Sequence, residues 1–326
     1  MTPAAVCCAL ALAVPHVPAP SAAVRQAVER ALPLLAEGAT GHIEQKTCFA
    51  CHNQAFPMAA FAAAKARGFS VDADLIAGQV KHVREFVESN KDAYTSGRGT
   101  GGQVDTAGWL LFTLERAGHK PDDLTAAVVE YLLKRDADRD HWRGTSNRPP
   151  SEASAFTANY LALRGLKTWG TPEHKAKIAK RVRTVRGWLA ETAAKDTEDR
   201  VYRMRALAEI GAKKAAAKAA RALIAAQRAD GGWRQTDAMP SDAYATGTVL
   251  TALAEVGGVA TASPAYQKGV AFLVRTQRAD GTWYVKSRSR PFQPYYESGF
   301  PHGKDQFISS SATGWATAAL ALACPK

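Results

Sequence analysis

The chain has 326 residues, 46% of them hydrophobic and 22% charged, enough apolar material for a sizeable core in one large domain or two small ones. That balance excludes a disordered chain and a membrane-spanning one. The formal charge of +12 is crowded into stretches such as His174 to Arg186 and Lys213 to Arg221, which read as solvated helix faces; a positive face also suits an acidic redox partner or an anionic membrane surface, and no motif points to nucleic acid.

In chain order, residues 4–19 form an apolar run ending in small residues. It is too short to span a bilayer and resembles the core of a secretory signal, although no Lys or Arg precedes it. Residues 1–21 are therefore expected to be a signal peptide, and the protein periplasmic or otherwise exported, with no transmembrane anchor in the mature chain. Cleavage would remove Cys7 and Cys8 and leave Cys48, Cys51 and Cys324, a count that does not suit a disulfide scaffold.

Cys48-Phe49-Ala50-Cys51-His52 has the C-x-x-C-H pattern of c-type haem attachment. In that chemistry the two thiols become thioethers to the haem vinyl groups and the adjacent imidazole becomes the proximal iron ligand. The expected cofactor is thus covalent haem c, held by Cys48 and Cys51 with His52 on the iron. A redox disulfide, half of a zinc site and chance are the competing readings, but a zinc site needs about four ligands and no second cysteine pair is available once the signal segment is removed.

From there the chain repeats itself at intervals of about 46 to 50 residues. Ala/Leu-rich stretches run up to Gly68, Gly118, Gly165, Gly211 and Gly257, with a sixth copy from Ser311 onward. Glycine is the expected helix stop. Between these stretches lie amphipathic segments at 22–36, 73–89, 122–135, 173–191, 213–227 and 265–277, and strand signals are nearly absent. Six helix pairs follow, each able to bury its apolar face only by stacking on its neighbours, and six can close into a ring. The Ala/Gly/Thr-rich set, 104–117, 153–164, 242–256 and 309–322, reads as the inner one. The stretch with Arg200, Arg203 and Arg205 departs from that composition, so either its register is looser or its arginines face a cavity or rim. Asp105, Glu152, Asp199 and Asp242, near expected inner-helix starts, read as caps and dipole partners; an acidic ring of paired carboxylates, as in toroidal glycosidases, is the alternative.

Two loops repeat more sharply: Gln227 to Trp233 with Gly231, and Gln277 to Trp283 with Gly281, with a weakened copy at Asp138 to Trp142. They resemble the Q-x-x-x-G-x-W motif of the squalene cyclase and prenyltransferase repeat family. The resemblance covers roughly residues 60 to 323 and implies an all-α (α/α)6 toroid of six helix-pair repeats, with these glutamines, glycines and tryptophans in structural roles. Its catalytic features transfer poorly. Aligning Asp105-Thr106-Ala107 on the cyclases' D-x-D-D-T-A leaves Val104 at the proton donor's place, and no cysteine stands where prenyltransferases bind zinc.

The expected organisation is thus a single toroid over 22–326, with the haem motif 48–52 in the first repeat and a long loop, 284–307, in the last. Ring closure brings the two together. The loop is expected to cover the haem, its aromatics walling the pocket and Lys286, Arg288 or Arg290 near the propionates. His302, Asp305 and Glu297 are its candidate catalytic groups; His302 or Met58 is a candidate sixth ligand, with His42 or an open position as further options. The segment Cys51-His52-Asn53-Gln54 together with Phe292-Gln293-Pro294-Tyr295 and Gly299-Phe300-Pro301-His302-Gly303 also resembles exported bacterial proteins that join a C-x-x-C-H-x-Q segment to squalene-cyclase-like repeats, a resemblance that implies no particular activity. Three functions stand: a haem protein in electron transfer or redox chemistry near the cavity mouth, a cyclase-like enzyme handling an apolar isoprenoid in the cavity, and a non-catalytic module binding a peptide or glycan.

Overall fold

The computed structural model describes residues 21–291 and 294–325. The expected signal segment, with Cys7 and Cys8, falls almost wholly outside the described residues, as do Phe292 and Gln293. The elements alternate in two sets. The outer helices are α1 (Ser21–Gln45), α3 (Ala73–Ser89), α6 (Asp123–Lys134), α8 (Lys175–Glu191), α10 (Lys213–Ala225) and α12 (Pro264–Thr276), and a short helix, α4 (Lys91–Thr95), follows α3. The inner helices are α2 (Ala55–Lys65), α5 (Gln103–Arg116), α7 (Ala155–Trp169), α9 (Thr197–Glu209), α11 (Ala243–Glu255) and α13 (Gln306–Ala323). A two-residue strand pair, Trp233–Arg234 with Ser241–Asp242, is the only sheet among the described residues.

The inner helices pack in the cyclic order α2, α5, α7, α9, α11, α13 and back to α2, and α1 packs against both α12 and α13. This is an (α/α)6 toroid, closed where the last repeat meets the first. Burial follows composition. Nearly every residue of α11 and of α13 from Ile308 to Ala321 is buried, whereas α8, rich in Lys and Arg, buries only Arg181, Val185 and Leu189. A helix that is apolar all round needs neighbours on all sides.

Caps start the helices where short polar residues precede them. Asp122 accepts from the backbone of Leu124 and Thr125 in a capping box, Ser154 from Phe156 and Thr157, Asp196 from Asp199, and Asp242 from Ala245. Gly68, Gly118 and Gly211 end helices in the left-handed conformation. Two expected stops differ. Gly165 lies inside α7, where a Cβ would meet Leu111 at 2.9 Å, and after α11 it is Gly258, not Gly257, that takes positive φ.

The first outer helix runs nine residues beyond the expected end at 36, to Gln45. Gly38 and Gly41 do not break it. A Cβ at Gly41 would lie 2.2 Å from the Ser298 carbonyl oxygen, and one at Gly38 would lie 2.9 Å from Phe300 Cβ. These glycines let the last repeat's loop press onto α1, and the extra helix carries His42 to the motif.

Within the ring, side chains meet from neighbouring helices and from helices that are not neighbours. Trp109 of α5 touches Tyr202 of α9, Phe56 of α2 and Trp315 of α13, with ring centroids 6.2, 4.7 and 6.4 Å apart. At the helices' other end, Arg205 bonds Glu255 Oε2 at 2.7 Å, Arg116 bonds Glu255 Oε1 at 2.7 Å, and Arg164 bridges Glu115 and Glu209. Of the three arginines left open by sequence, Arg205 thus points inward, while Arg203 holds the Leu189 and Ala190 carbonyls at the end of α8. No described helix is long and apolar enough to cross a membrane.

Candidate functional site at the ring seam

The C-x-x-C-H segment is shaped by the start of α2. The Gln54 side chain accepts from Ala50 N–H at 2.8 Å, the backbones of Asn53 and Gln54 donate back to Ala50 O, and Ala55 N–H donates to Cys51 O at 2.9 Å. The turn therefore stands on the first helical turn, which fixes its backbone. Ser310 of α13 donates to the His52 carbonyl at 2.8 Å, tying the motif across the seam.

Cys48 is exposed and Cys51 buried. The Cys51 thiol donates to Glu152 Oε1 at 2.6 Å, and Arg148 pairs with the other carboxylate oxygen. Burial, then the Glu152 charge, pushes the Cys51 thiol well above its usual range. Burial likewise raises Glu152, against the pull of Arg148. Asp105, in the first turn of α5, is 1% exposed; its Oδ1 has no hydrogen-bond partner, and burial, with Glu152 nearby, holds its carboxyl well above the carboxylate range. Two acidic groups, Glu152 and Asp105, thus crowd the Cys51 thiol, with the Arg148 guanidinium paired to Glu152.

On the other side of the motif lie three histidines and a tyrosine. His42 Nε2 faces the Cys48 carbonyl at 2.7 Å, so it carries the proton, and Nδ1 accepts from the Tyr296 hydroxyl at 2.7 Å. His82 reaches the same carbonyl at 3.2 Å. The His42 ring centroid lies 5.7 Å from that of His82 and 6.5 Å from that of His52. Burial takes His42 down to about 4, and takes His52, with the His42 charge, down to about 3. Both rings are neutral near pH 7. The His52 ring packs edge-on against Phe307, and neither of its nitrogens has a hydrogen-bond partner among the described residues.

Two cavities meet at this ring. A void of about 40 Å³ is lined by Cys48, Cys51, His52, His42, Arg148 and Glu152. A cavity of about 470 Å³ shares His52, Arg148 and Glu152 with it and is otherwise walled by the long loop, including Tyr295, Tyr296, Arg290, Lys304, Asp305 and Phe307. The motif and the 284–307 loop therefore form one site.

The expected site residues distribute as follows. Cys48, Cys51 and His52 share one void. Asp305 lines the larger cavity, where it also accepts from Tyr284 at 2.7 Å and Ser287 N–H at 2.8 Å. Arg290 lines it too, while Arg288 is turned to Gln235 and Lys286 is exposed. Glu297 sits just outside, accepting from Tyr295. His302 is placed elsewhere: its Nε2 bonds Thr282 Oγ1 at 2.7 Å and its ring packs on Tyr284 and Phe300. Met58 is 1% exposed in α2 and lines neither cavity. Among the described residues no three His, Cys, Asp or Glu side chains converge on a common metal position.

The expected capping carboxylates divide. Asp242 caps α11, and Asp199 accepts from Ser154 and Lys195 N–H. Glu152 caps nothing and instead partners Cys51. Nothing local in the sequence announces Glu152, Arg148, His82 or Tyr296: Glu152 lies 101 residues from Cys51, and Tyr296 lies 254 from His42.

The repeat motifs behave as structural parts. Trp233 Nε1 donates to Leu223 O at 2.7 Å and Trp283 Nε1 to Leu273 O at 2.9 Å. Gln227 ties Gly231 O to Ala265 O of the next outer helix, and Gln277 ties Gly281 O to Ala27 O of α1, all at 2.8 Å. The second of these ties closes the ring. In the weakened copy Trp142 keeps its bond to Leu132 O, but Arg181 of α8 takes the glutamine's part by bonding the Asp136 and Arg139 carbonyls.

A closed ring of six helix pairs tied by such turns defines the terpenoid-cyclase-like class of toroid. In keeping with that class, residues 186–325 match the family model of the squalene-hopene cyclase C-terminal domain. Among solved structures, the type II terpene cyclase MstE from Scytonema, bound to merosterolic acid A as product, is similar at 14% identity, with 94% of this chain and 98% of that one covered and a TM-score of 0.58. The ent-copalyl diphosphate synthase from Streptomyces platensis is similar at 18% identity over 84% of this chain and 50% of that one, with a TM-score of 0.55. The unsaturated glucuronyl hydrolase from Bacillus sp. GL1 is similar at 13% identity over 91% of this chain and 96% of that one, with a TM-score of 0.56. No curated protein sequence matches. Likeness at these identities concerns the fold, which hosts both cyclisation and hydrolysis among these neighbours.

Proposed function

We propose that the chain is an exported toroidal protein carrying haem c, attached through Cys48 and Cys51 with His52 as proximal ligand, and that it transfers electrons or performs a redox reaction at the seam cavity. The observation that carries this reading is the state of His52. Its ring is neutral near pH 7, has no hydrogen-bonded nitrogen among the described residues, shares one void with both thiols, and faces a cavity of about 470 Å³. An iron already held by a macrocycle asks one such imidazole of the chain.

When bound, haem supplies one-electron exchange at its iron. The chain's own residues supply the rest. Arg148, Arg290 and Lys304 bring positive charge to the cavity wall, where they would hold the carboxylate groups of a bound haem by charge-assisted bonds. Tyr296 and Phe307, both partly buried, line the cavity as its aromatic wall. His42 and His82 hold the Cys48 carbonyl and so the turn that presents the thiols.

The test is expression to the periplasm with the cytochrome c maturation machinery, followed by a pyridine haemochrome spectrum of the denatured protein. Covalent haem is expected at one per chain and is expected to be lost in Cys51→Ala. The reduced spectrum is expected to survive Met58→Ala and His302→Ala unchanged, since neither side chain lines the cavity. A colourless product under maturation conditions overturns the reading.

A second reading has its own support. Asp105 is a buried acid whose carboxyl is held above its usual range by burial, one residue after Val104, which stands at the cyclases' proton-donor place, on a fold like that of terpene cyclases. Such an acid suits proton-initiated chemistry on an apolar isoprenoid. Against it, Phe56, Trp109 and Trp315 occupy the ring beside it. Turnover of a linear isoprenoid by haem-free protein would favour this reading.

A further inference from the structure

Most of the chain's net charge of +12 sits on two consecutive outer helices. α8 has six basic residues against one acidic, and α10 has four against none. Both pack on α9, and Arg186 of α8 reaches the Ile210 carbonyl, just ahead of α10, at 2.9 Å, so the two stand side by side on the outside of the ring. Lys180 and Arg183 share the outward stripe of α8, as do Lys214, Lys218 and Arg221 on α10, at spacings of three and four residues that keep them on one side of a helix. All five are exposed, and none has a side-chain hydrogen bond or ion pair among the described residues.

This loading works against the helices that carry it. Elsewhere on the outer ring, cations are matched one turn away, as in Arg25 with Glu29, Lys81 with Glu85 and Lys134 with Glu130. On α10 the residue four along from Lys214 is Lys218, and like charges at that spacing destabilise a helix. Neither helix has an acidic residue in its first turn, where the macrodipole favours one, and α10 begins with Lys213 and Lys214. A merely solvated face needs no such departure; local rules broken without a packing reason mark a functional surface.

We propose that the α8–α10 face docks the protein, peripherally and by charge, on an anionic phospholipid surface. Its composition favours lipid over a protein partner. Between the lysines stand exposed alanines, among them Ala215, Ala222 and Ala225, and Lys and Ala are both depleted at protein–protein interfaces, which are enriched instead in aromatic anchors. The two exposed large hydrophobic side chains among the described residues, Tyr284 and Tyr295, belong to the long loop and not to this face. Ammonium groups on flexible stems above a floor of methyl groups suit mobile headgroup phosphates, which impose no fixed shape. Clusters of about four to eight Lys or Arg bind such surfaces, each strengthening binding about fivefold. α8 gives the face a length of roughly 25 Å at about 1.5 Å per residue. α12 stands between α10 and α1 in the outer set, so docking here leaves the seam cavity uncovered, and the inference holds whatever Cys48–His52 carry.

The test is co-sedimentation of the full chain with vesicles of phosphatidylglycerol mixed into phosphatidylcholine. Binding is expected, lost at high salt and absent from pure phosphatidylcholine. Lys180→Gln with Arg183→Gln is expected to weaken it about twentyfold, and Lys214→Gln with Lys218→Gln and Arg221→Gln about a hundredfold, while Lys214→Arg with Lys218→Arg binds as wild type. Lys65→Gln with Lys120→Gln, which removes as much charge as the α8 pair but from the first and second repeats, leaves binding nearly unchanged. Thermal midpoints of the α8 and α10 glutamine variants are expected to match or exceed that of wild type, because like-charge repulsion is relieved, so that lost binding is not lost folding. Wild-type affinity in the α10 triple variant overturns the face, and an equal loss in the Lys65/Lys120 variant reduces the effect to net charge and overturns it too. Binding to pure phosphatidylcholine that salt does not weaken traces to the apolar run at 4–19 and overturns docking by charge. Displacement of the protein from the vesicles by polyglutamate at equal charge would make the occupant an acidic polypeptide and overturn the lipid.

Discussion

Arg205 is 1% exposed, and the Glu255 carboxylate is what makes that tolerable. Burial alone would raise the Glu255 carboxyl, but Arg205 and Arg116 outweigh it and hold it at about 2, against an ordinary value of 4.5. A folded-state value below the unfolded one means stability that is present above pH 4.5 and lost as pH falls from there toward 2. Glu255→Gln leaves Arg205 buried without its charge partner and is expected to cost roughly 3–5 kcal/mol at pH 7. In urea titrations the gap from wild type should narrow as pH drops below 4.5; a gap that is constant from pH 7 to pH 3 would show that the pair is not what holds this end of the ring. At this scale the sequence was legible only where chemistry dictates spacing. Cys48, Cys51 and His52 stand out because they are neighbours in a C-x-x-C-H pattern, whereas Glu152 lies 101 residues from Cys51 and Tyr296 lies 254 from His42, and neither carries a local mark of its partner.

Periodicity located all twelve paired helices, because burial imposes it, and erred at glycines. Gly38, Gly41 and Gly165 look like punctuation in the sequence but sit inside helices where another segment comes close. Close approach and chain termination both select glycine, and only the tertiary structure tells them apart. The Q-x-x-x-G-x-W turns were readable in function as well as place. At Gly281 the conformation needs φ of +87°, and a Cβ would lie 2.6 Å from Arg30 O. Gln277 beside it spans the turn and α1 at once. Gln277→Leu removes both bonds, together with the one its Oε1 accepts from Arg30 of α1, and is expected to destabilise the protein by about 1–3 kcal/mol, seen as a lower urea midpoint. Gln227→Leu, whose bonds join consecutive repeats, should cost a similar amount but leave the ends of the chain docked. The difference belongs in limited proteolysis: α1 is expected to become the preferred cleavage region in the Gln277 variant alone.

At the scale of the whole molecule, the repeat count foretold a closed ring, but not what fills it. Aromatic rings from α2, α5, α9 and α13 meet inside, because the inner faces carry Phe56, Trp109, Tyr202 and Trp315 at one level, a coincidence of register that no single repeat displays. Closure depends on how near α13 comes to its two neighbours. A Cβ at Gly314 would lie 2.8 Å from the backbone carbon and oxygen of Phe56 in α2. Backbone atoms cannot swing aside as a side-chain tip does, so Gly314→Ala must push α13 outward, at an expected cost of about 1–3 kcal/mol. The helix itself would favour the change, since alanine is the better helix former by roughly 0.8–1 kcal/mol. Gly187→Ala isolates that term: Gly187 lies in α8, and nothing stands within 4 Å of its would-be Cβ. The same substitution is therefore expected to raise the thermal midpoint in α8 and lower it in α13. A rise at both positions would mean that the seam is loose enough to admit a methyl group, and that the ring is held by its outer turns rather than by contact between its first and last inner helices.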